Sequence, residues 1–188
     1  PEWRQPVIHQ PEIGILGIVS ANIRGTLHFL MQAKVEPGNL GAVQIAPTLQ
    51  ATKSNYTRRH KGKAPAFLDL FQSKIPVRIT DQLQSEQGSR FLQKRNRNII
   101  LYLEAVPEIP DTFRWMTLAQ LRRFLRVDNL VNMDSRTVLS ALRYTGLPGL
   151  LSADLSPDLA TRLQSETCVE AHHSLDHLIS WFTDLKTH

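Results

Sequence analysis

The segment LHFLMQAKVE, residues 27–36, alternates strictly between two sets of side chains. One set is Leu27, Phe29, Met31, Ala33 and Val35, and the other is His28, Leu30, Gln32, Lys34 and Glu36. A period of two residues predicts a half-buried β-strand. The following Pro-Gly-Asn at 37–39 ends it, because proline lacks an amide donor while glycine and asparagine tolerate positive φ. We therefore expect a hairpin-like reversal and a returning strand at residues 42–46.

Two more apolar segments extend this β structure. Residues 13–18, which include Gly14 and Gly17, predict an earlier strand. Residues 99–105 (IILYLEA) predict a later one, closed by the prolines at 107 and 110. The N-terminal half is therefore expected to be mainly β.

The period changes to a helical one further along the chain. Thr117 and Gln120 have capping-box spacing and predict a helix over residues 117–126. Asp134 or Ser135 is expected to cap another, with apolar residues at 138, 139 and 142. Strands followed by helices predict an α+β domain, which we place at residues 1–148.

Residues 149–188 are expected to form a helical appendage or the lead-in to a second repeat. Ser156 followed by Pro157 has the pattern of a helix start. Ser174 precedes a helical apolar stripe made of Leu175, Leu178, Ile179, Phe182 and Leu185.

Composition excludes several classes of protein. With 41% hydrophobic and 21% charged residues in 188, the chain is not disordered, and no apolar run reaches the ~18–20 residues that span a bilayer. A single cysteine, Cys168, and an N-terminus without a secretory pattern favour the cytoplasm. The net charge of +5 favours anionic partners.

Two polar segments, residues 50–63 and 82–98, carry the chemistry of a ligand site. Both are rich in hydroxyls, amides and cations, groups that grip phosphorylated or polyhydroxylated ligands. The alternative is that each is a solvated loop. Nucleic-acid binding is disfavoured because aromatic residues are only 7% of the chain. Phosphate-binding, dinucleotide-binding and serine-hydrolase motifs are absent, and the pair His173 and His177 alone does not make a metal site.

Several long blocks of the sequence resemble the NDP-hexose 2,3-dehydratase family of deoxysugar and antibiotic biosynthesis. The blocks are EWRQPVIHQPEIGILG (2–17), QAKVEPGN (32–39), PTLQATKSNYTRRHKG (47–62), LQSEQGSRFLQKRNRN (83–98), FRWMTLAQL (113–121) and NLVNMDSRTVLSAL (129–142). The resemblance implies a Nudix-like fold, a mixed sheet with flanking helices. It implies loss of water across C2 and C3 of a dTDP-4-keto-6-deoxyglucose-type substrate, without an organic cofactor or metal. The glutamate-rich box of Nudix hydrolases is missing.

The resemblance also implies an assembly. Family members are about twice this length, contain two related repeats and form homodimers, so this chain resembles one repeat. A homodimer, a second repeat and a downstream 3-ketoreductase are the expected protein partners. A dTDP-sugar-binding repeat without catalysis remains the alternative function.

Site residues follow from the resemblance and from the chemistry that it implies. The catalytic candidates are Lys34, Glu36, Tyr56 and Glu86, with the carboxylates as bases, Lys34 as enolate stabiliser and Tyr56 as acid or O4 donor. The substrate-binding candidates are Gln50, Thr52, Ser54, Asn55, Arg58, Gln84, Arg90, Lys94, Arg95 and Asn96, whose cations would hold the diphosphate. Structural alternatives stay open: Glu36 as a turn residue paired with Lys34, and Arg95 and Arg97 paired with helix acids.

Overall fold

Seven strands and four helices make up the part of the chain that the computed structural model describes, residues 4–53, 64–142 and 173–186. The strands are β1 (Gly14–Ile23), β2 (Thr26–Val35), β3 (Val43–Pro47), β4 (Leu49–Ala51), β5 (Val77–Ser85), β6 (Arg95–Leu103) and β7 (Phe113–Thr117). The helices are α1 (Leu68–Gln72), α2 (Leu118–Phe124), α3 (Met133–Ser140) and α4 (Leu175–Lys186).

The strands form one mixed sheet in the order β3-β2-β1-β6-β5, with β4 also paired to β1 and β7 to β2. β1 and β6 run parallel, and the other pairs are antiparallel. β1 and β2 separate at Thr48, which lies between β3 and β4. The Thr48 hydroxyl donates to the Leu30 carbonyl and accepts from the Val19 amide. Beyond Thr48 the chain therefore leaves β2 and pairs with β1, which brings Gln50 onto the sheet.

The predicted hairpin is confirmed, but the prediction that β2 is half-buried is wrong. β2 lies one residue from the predicted bounds, and β3 occupies the expected return. His28 and Leu30, on the face expected to be exposed, are both 0% exposed. The reason is a second apolar core on that face, where Leu30 packs with Trp115 and with Phe71 of α1.

Helices cover the other face around the first core. Phe29 and Ile18 pack there with Val138 of α3 and Leu178 of α4. Layers on both faces of a mixed sheet confirm the α+β expectation.

The predicted N-cap is confirmed for α2 and wrong for α3. At α2 the predicted capping box between Thr117 and Gln120 is present. At α3 the prediction of Asp134 or Ser135 as N-cap is wrong, because the Asn132 side chain accepts the Ser135 amide at 2.8 Å. Asp134 therefore lies inside the first turn, where its carboxyl group is available to other partners.

The helix predicted after Ser174 is confirmed as α4. It packs into the first core through Leu178, Trp181 and Phe182, and the Trp181 indole donates to the Asp111 carbonyl at 3.1 Å. The division at residue 148, the helix at Ser156 and Cys168 fall outside the described residues, so the proposed domain boundary remains a prediction. None of the helices described is long and apolar enough to cross a membrane.

Candidate functional site

The sheet register gathers polar side chains on one face. Gln50 of β4 and Asn98 of β6 both lie opposite Leu16 of β1, and Asn96 lies opposite Gly14. Residues directly opposite across a sheet share a face. The same face continues onto β5 through Gln82, opposite Asn98, and Gln84, opposite Asn96. Residues from both polar segments of the sequence therefore meet across β1.

Lys34, Glu36, Gln50 and Asp134 form a continuous polar network at the edge of this face. The Lys34 ammonium forms an ion pair with Glu36 at 2.8 Å and donates to Oε1 of Gln50 at 2.9 Å. The Gln50 amide nitrogen donates in turn to Oδ2 of Asp134. Because an ammonium group can only donate, its contact fixes which end of the Gln50 amide faces Asp134. The network thus joins β2, β4 and α3.

Burial raises the pKa of the Asp134 carboxyl. The Gln50 hydrogen bond opposes the shift, Glu36 adds to it by repulsion, and Lys34 lowers it. The net direction means that Asp134 holds its proton to higher pH than an exposed aspartate does. A carboxyl group of this kind is suited to proton transfer.

This shift predicts that replacing Asp134 by asparagine stabilises the fold more at neutral than at acid pH. A raised carboxyl pKa contributes stability below the ordinary value of 3.8, and that contribution is lost as the pH rises through the folded-state pKa. The charged groups that face Asp134 are Lys34 on β2 and Glu36 directly after it, and Asp128 and Arg136 line the same cleft. Urea unfolding of both proteins from about pH 3 to 8 measures the difference. A difference that does not change with pH would contradict it, and Asp69→Asn, on the surface of α1, is the control.

A cleft of about 630 Å³ opens beside the network. Its volume lies within the ~300–1,000 Å³ typical of small-molecule sites. The lining is rich in carboxyl and amide groups and comprises Glu36, Asn39, Gln44, Leu125, Asp128, Asn129, Val131, Asn132, Met133, Asp134 and Arg136. The Arg136 guanidinium donates to the carbonyls of Val131 and Leu125 at 3.2 and 3.1 Å. Such a lining suits the hydroxyls of a sugar better than a diphosphate.

Glu86 and Asn96 form a second polar pair on the same side of the sheet. The Asn96 amide donates to the Glu86 carboxylate. A Cβ at Gly14 would lie 2.9 Å from Oδ1 of Asn96, so the glycine lets this side chain lie across β1. Next to Glu86, the Gln87 amide contacts the Met133 sulfur at 3.0 Å. The contact fastens the β5–β6 connection to the start of α3, one residue from Asp134.

Asn98 is the most buried of the amide side chains on this face. It is 0% exposed, and its nitrogen donates to the Asn96 carbonyl at 3.2 Å. Among the described residues its Oδ1 has no hydrogen-bond partner. A buried acceptor without a donor is costly, which makes Asn98 a candidate site residue.

The predicted cations that the structure describes have different surroundings. The buried Lys94 ammonium donates to the Glu12 carbonyl at 2.9 Å, which ties the N-terminal segment to β6. Arg95 is exposed, and it lies on the other face of the sheet from Asn96 because successive residues of a strand point to opposite faces. Arg97 forms two 2.6 Å hydrogen bonds with Asp81, which raise the pKa of the guanidinium. The acidic partner of Arg97 therefore lies on β5, and the alternative that it pairs with a helix acid is wrong. Arg90 is exposed in the β5–β6 connection.

The remaining predicted residues divide into two groups. Thr52 is exposed just after β4, and Gln84 lies opposite Asn96. Ser54, Asn55, Tyr56 and Arg58 lie outside the described residues. The structure brings together Lys34, Glu36 and Gln50, and separately Glu86, Gln84 and Asn96.

Sequence reasoning missed Asp134 and Asn98. The sequence predicts Asp134 only as a helix cap, although its position within a long matching block is a further signal. Asn98 differs from its polar neighbours only through burial, which depends on strand register. Among the described residues no three His, Cys, Asp or Glu side chains are grouped to hold a metal, and the rings of His173 and His177 stack at 4.7 Å.

The fold and the site define a mixed-sheet α+β domain with a polar cleft of small-molecule size. Residues 1–142 match the family model described as NDP-hexose 2,3-dehydratase, and the chain belongs to this family. The Nudix-like character of the fold rests on that family resemblance.

Curated relatives agree with the family assignment. The chain is 45% identical to proteins named dTDP-4-dehydro-6-deoxy-alpha-D-glucopyranose 2,3-dehydratase from Saccharopolyspora spinosa, Amycolatopsis orientalis and Streptomyces violaceoruber. These alignments cover 99%, 97% and 99% of this chain but 39%, 35% and 40% of the relatives. The chain therefore spans well under half the length of the curated relatives that it matches.

Solved structures show only a distant likeness. A chain from the complex between the C-terminal domain of mouse MUTYH and human PCNA aligns with a TM-score of 0.44 and 15% identity, covering 70% of this chain and 87% of that one. The C. elegans Ap4A hydrolase aligns with a TM-score of 0.42 and 9% identity, covering 70% of this chain and 96% of that one.

Proposed function

We propose that the domain dehydrates a sugar nucleotide of the dTDP-4-keto-6-deoxyglucose type across C2 and C3, giving a 3,4-diketo-2,6-dideoxy sugar. The observation that carries the proposal is the network of Lys34, Glu36, Gln50 and Asp134 beside the polar cleft. It unites a base, a cation and a carboxyl group of raised pKa within the residues that match the family.

The chemistry uses the acidity that the C4 ketone gives to the C3 hydrogen. A carboxylate, Glu36 or Glu86, removes this proton, and the electron pair forms a C3–C4 enolate whose oxygen the Lys34 ammonium stabilises. The enolate then expels the C2 hydroxyl as water, with a proton from an acid. The resulting enol tautomerises to the 3,4-diketone. No organic cofactor or metal enters these steps.

Binding of the nucleotide falls to the cationic segments. Arg58 and Arg90 are proposed to hold the diphosphate, and Tyr56 to act as acid or O4 donor. Lys94 and Arg95 do not join them, because Lys94 is bound to the Glu12 carbonyl and Arg95 lies on the other face of the sheet from Asn96. Thr52, Ser54, Asn55, Gln84 and Asn96 are proposed to contact the sugar or the base. Homodimerisation, a second repeat and a 3-ketoreductase that consumes the diketone belong to the same proposal, as does action in the cytoplasm.

A second candidate is a repeat that binds the dTDP-sugar without turning it over. It is favoured by one observation, that the chain spans only 35–40% of its relatives. In a duplicated protein, one copy can lose its chemistry while keeping its binding site.

An NMR time course of the protein with dTDP-4-keto-6-deoxyglucose in D2O, paired with a dTDP titration, separates the two. Exchange of the C3 hydrogen followed by a trappable 3,4-diketone or released dTDP is the expected result. Saturable dTDP binding with an unchanged sugar would contradict catalysis and identify a binding repeat. Equal affinity for duplex DNA, with steep salt dependence, would contradict both.

A further inference from the structure

Both ends of the Gln50 amide have a partner within the protein. Its oxygen accepts from Lys34 at 2.9 Å, and its nitrogen donates to Asp134. Neither end can turn toward a ligand without losing a hydrogen bond to Lys34 or to Asp134, which is costly for partly buried groups. This geometry is that of a residue that orients another side chain.

Asp134, by contrast, has one oxygen held and one oriented away from that contact. Oδ2 accepts from Gln50, which leaves Oδ1 as the oxygen that can carry and donate a proton. The residue lines the 630 Å³ cleft together with Glu36. When it carries a proton, a carboxyl group held in this way presents a hydroxyl donor to a ligand in the cleft.

Resting on the proposed function, we propose that Asp134 is the proton donor to the departing C2 hydroxyl and that Gln50 positions it without contacting the sugar. A base first takes the C3 hydrogen, and the enolate forms. As the C2–C3 double bond forms, the C2–O bond breaks, and its oxygen takes the Asp134 proton to leave as water. In the tautomerisation, C2 gains a proton and O3 loses one, which returns the base and Asp134 to their starting states.

Separate measurement of C3 exchange and water loss tests the donor role. In D2O, Asp134→Asn is expected to keep C3 hydrogen exchange within a few fold of wild type, because the enolate still forms. Water loss should fall by about 10²–10⁴-fold, the usual contribution of a positioned acid. The asparagine oxygen can still accept from Gln50, so the network keeps its shape. Asp69→Asn, on α1 outside the site, should change neither rate.

A second variant tests the positioning role independently. Gln50→Leu is expected to lower kcat for water loss about tenfold or more with little change in KM, because the acid loses its orientation while the ligand loses no contact. If Gln50 instead binds the sugar, KM rises and kcat stays the same, which would overturn this part of the inference. Circular dichroism checks that both variants fold.

Each outcome for Asp134→Asn decides between assignments. Retained water loss, or loss of exchange together with water loss in a folded protein, would overturn the assignment of Asp134 as donor. A wild-type protein that binds dTDP yet shows neither exchange nor water loss would overturn the proposed function itself, and the donor role with it.

Discussion

Replacing Lys34 by methionine is expected to slow dehydration by a factor of about 10²–10³, the usual effect of removing one group that stabilises an oxyanion. The ammonium is the cation of the network, within 3 Å of both Glu36 and Gln50. Without it, charge developing on O4 has no positive partner there, and Glu36 loses its ion pair. Both effects act before water leaves.

The rate of C3 hydrogen exchange therefore distinguishes Lys34→Met from Asp134→Asn. C3 hydrogen exchange should fall in parallel with water loss, whereas Asp134→Asn separates the two rates. The fold should survive, because the Lys34–Glu36 pair is partly exposed and such pairs contribute only about 0–1 kcal/mol. Deuterium incorporation and product formation by NMR measure both rates.

Two further variants make the Lys34 result specific. Lys74→Met removes an exposed lysine between α1 and β5 and should leave both rates unchanged. Lys34→Arg should recover part of the activity, since it keeps the charge. Wild-type exchange in Lys34→Met would show that Lys34 is only the surface partner of Glu36, the structural alternative raised by the sequence.

The elements that the sequence predicted correctly are those with a complete local signal. β2 has strict alternation, α2 has its capping box, and α4 has a serine start and an apolar stripe, and each lies near its predicted bounds. β5 was missed because its side chains are polar and partly exposed, and β7 because it is buried on both faces and so lacks alternation. Burial of both faces of β2 was missed because the covering elements are distant in sequence.

The candidate site shows the same division. The contact between Lys34 and Glu36 follows from their spacing, and the structure contains it. The contact between Gln50 and Asp134 joins residues 84 positions apart and exists only because α3 packs beside β4. Asn98 became distinct from its polar neighbours through register and burial, which no local pattern encodes.

Gly17 has less room for a side chain than Gly14, the other glycine of β1. Gly17→Ala is expected to destabilise the fold by about 3 kcal/mol, the upper part of the overpacking range. A Cβ there would lie 2.1, 2.5 and 2.7 Å from three ring carbons of Phe71. The ring is 2% exposed and packs among core side chains such as Leu30 and Trp115, so it cannot swing into solvent. α1 must shift away from β1, or the strand must bend.

Thermal and urea unfolding measure the effect, which at about 2–4 °C per kcal/mol lowers Tm by roughly 6–12 °C. Gly88→Ala is the matched control, because a Cβ at Gly88 meets nothing within 4 Å, and it should be neutral or slightly stabilising. Phe71→Leu removes the obstructing ring carbons, so the alanine should cost less in that background than in wild type. Additive effects of the two substitutions would mean that the contact between β1 and α1 does not set the cost, because contacting residues couple in a double-mutant cycle.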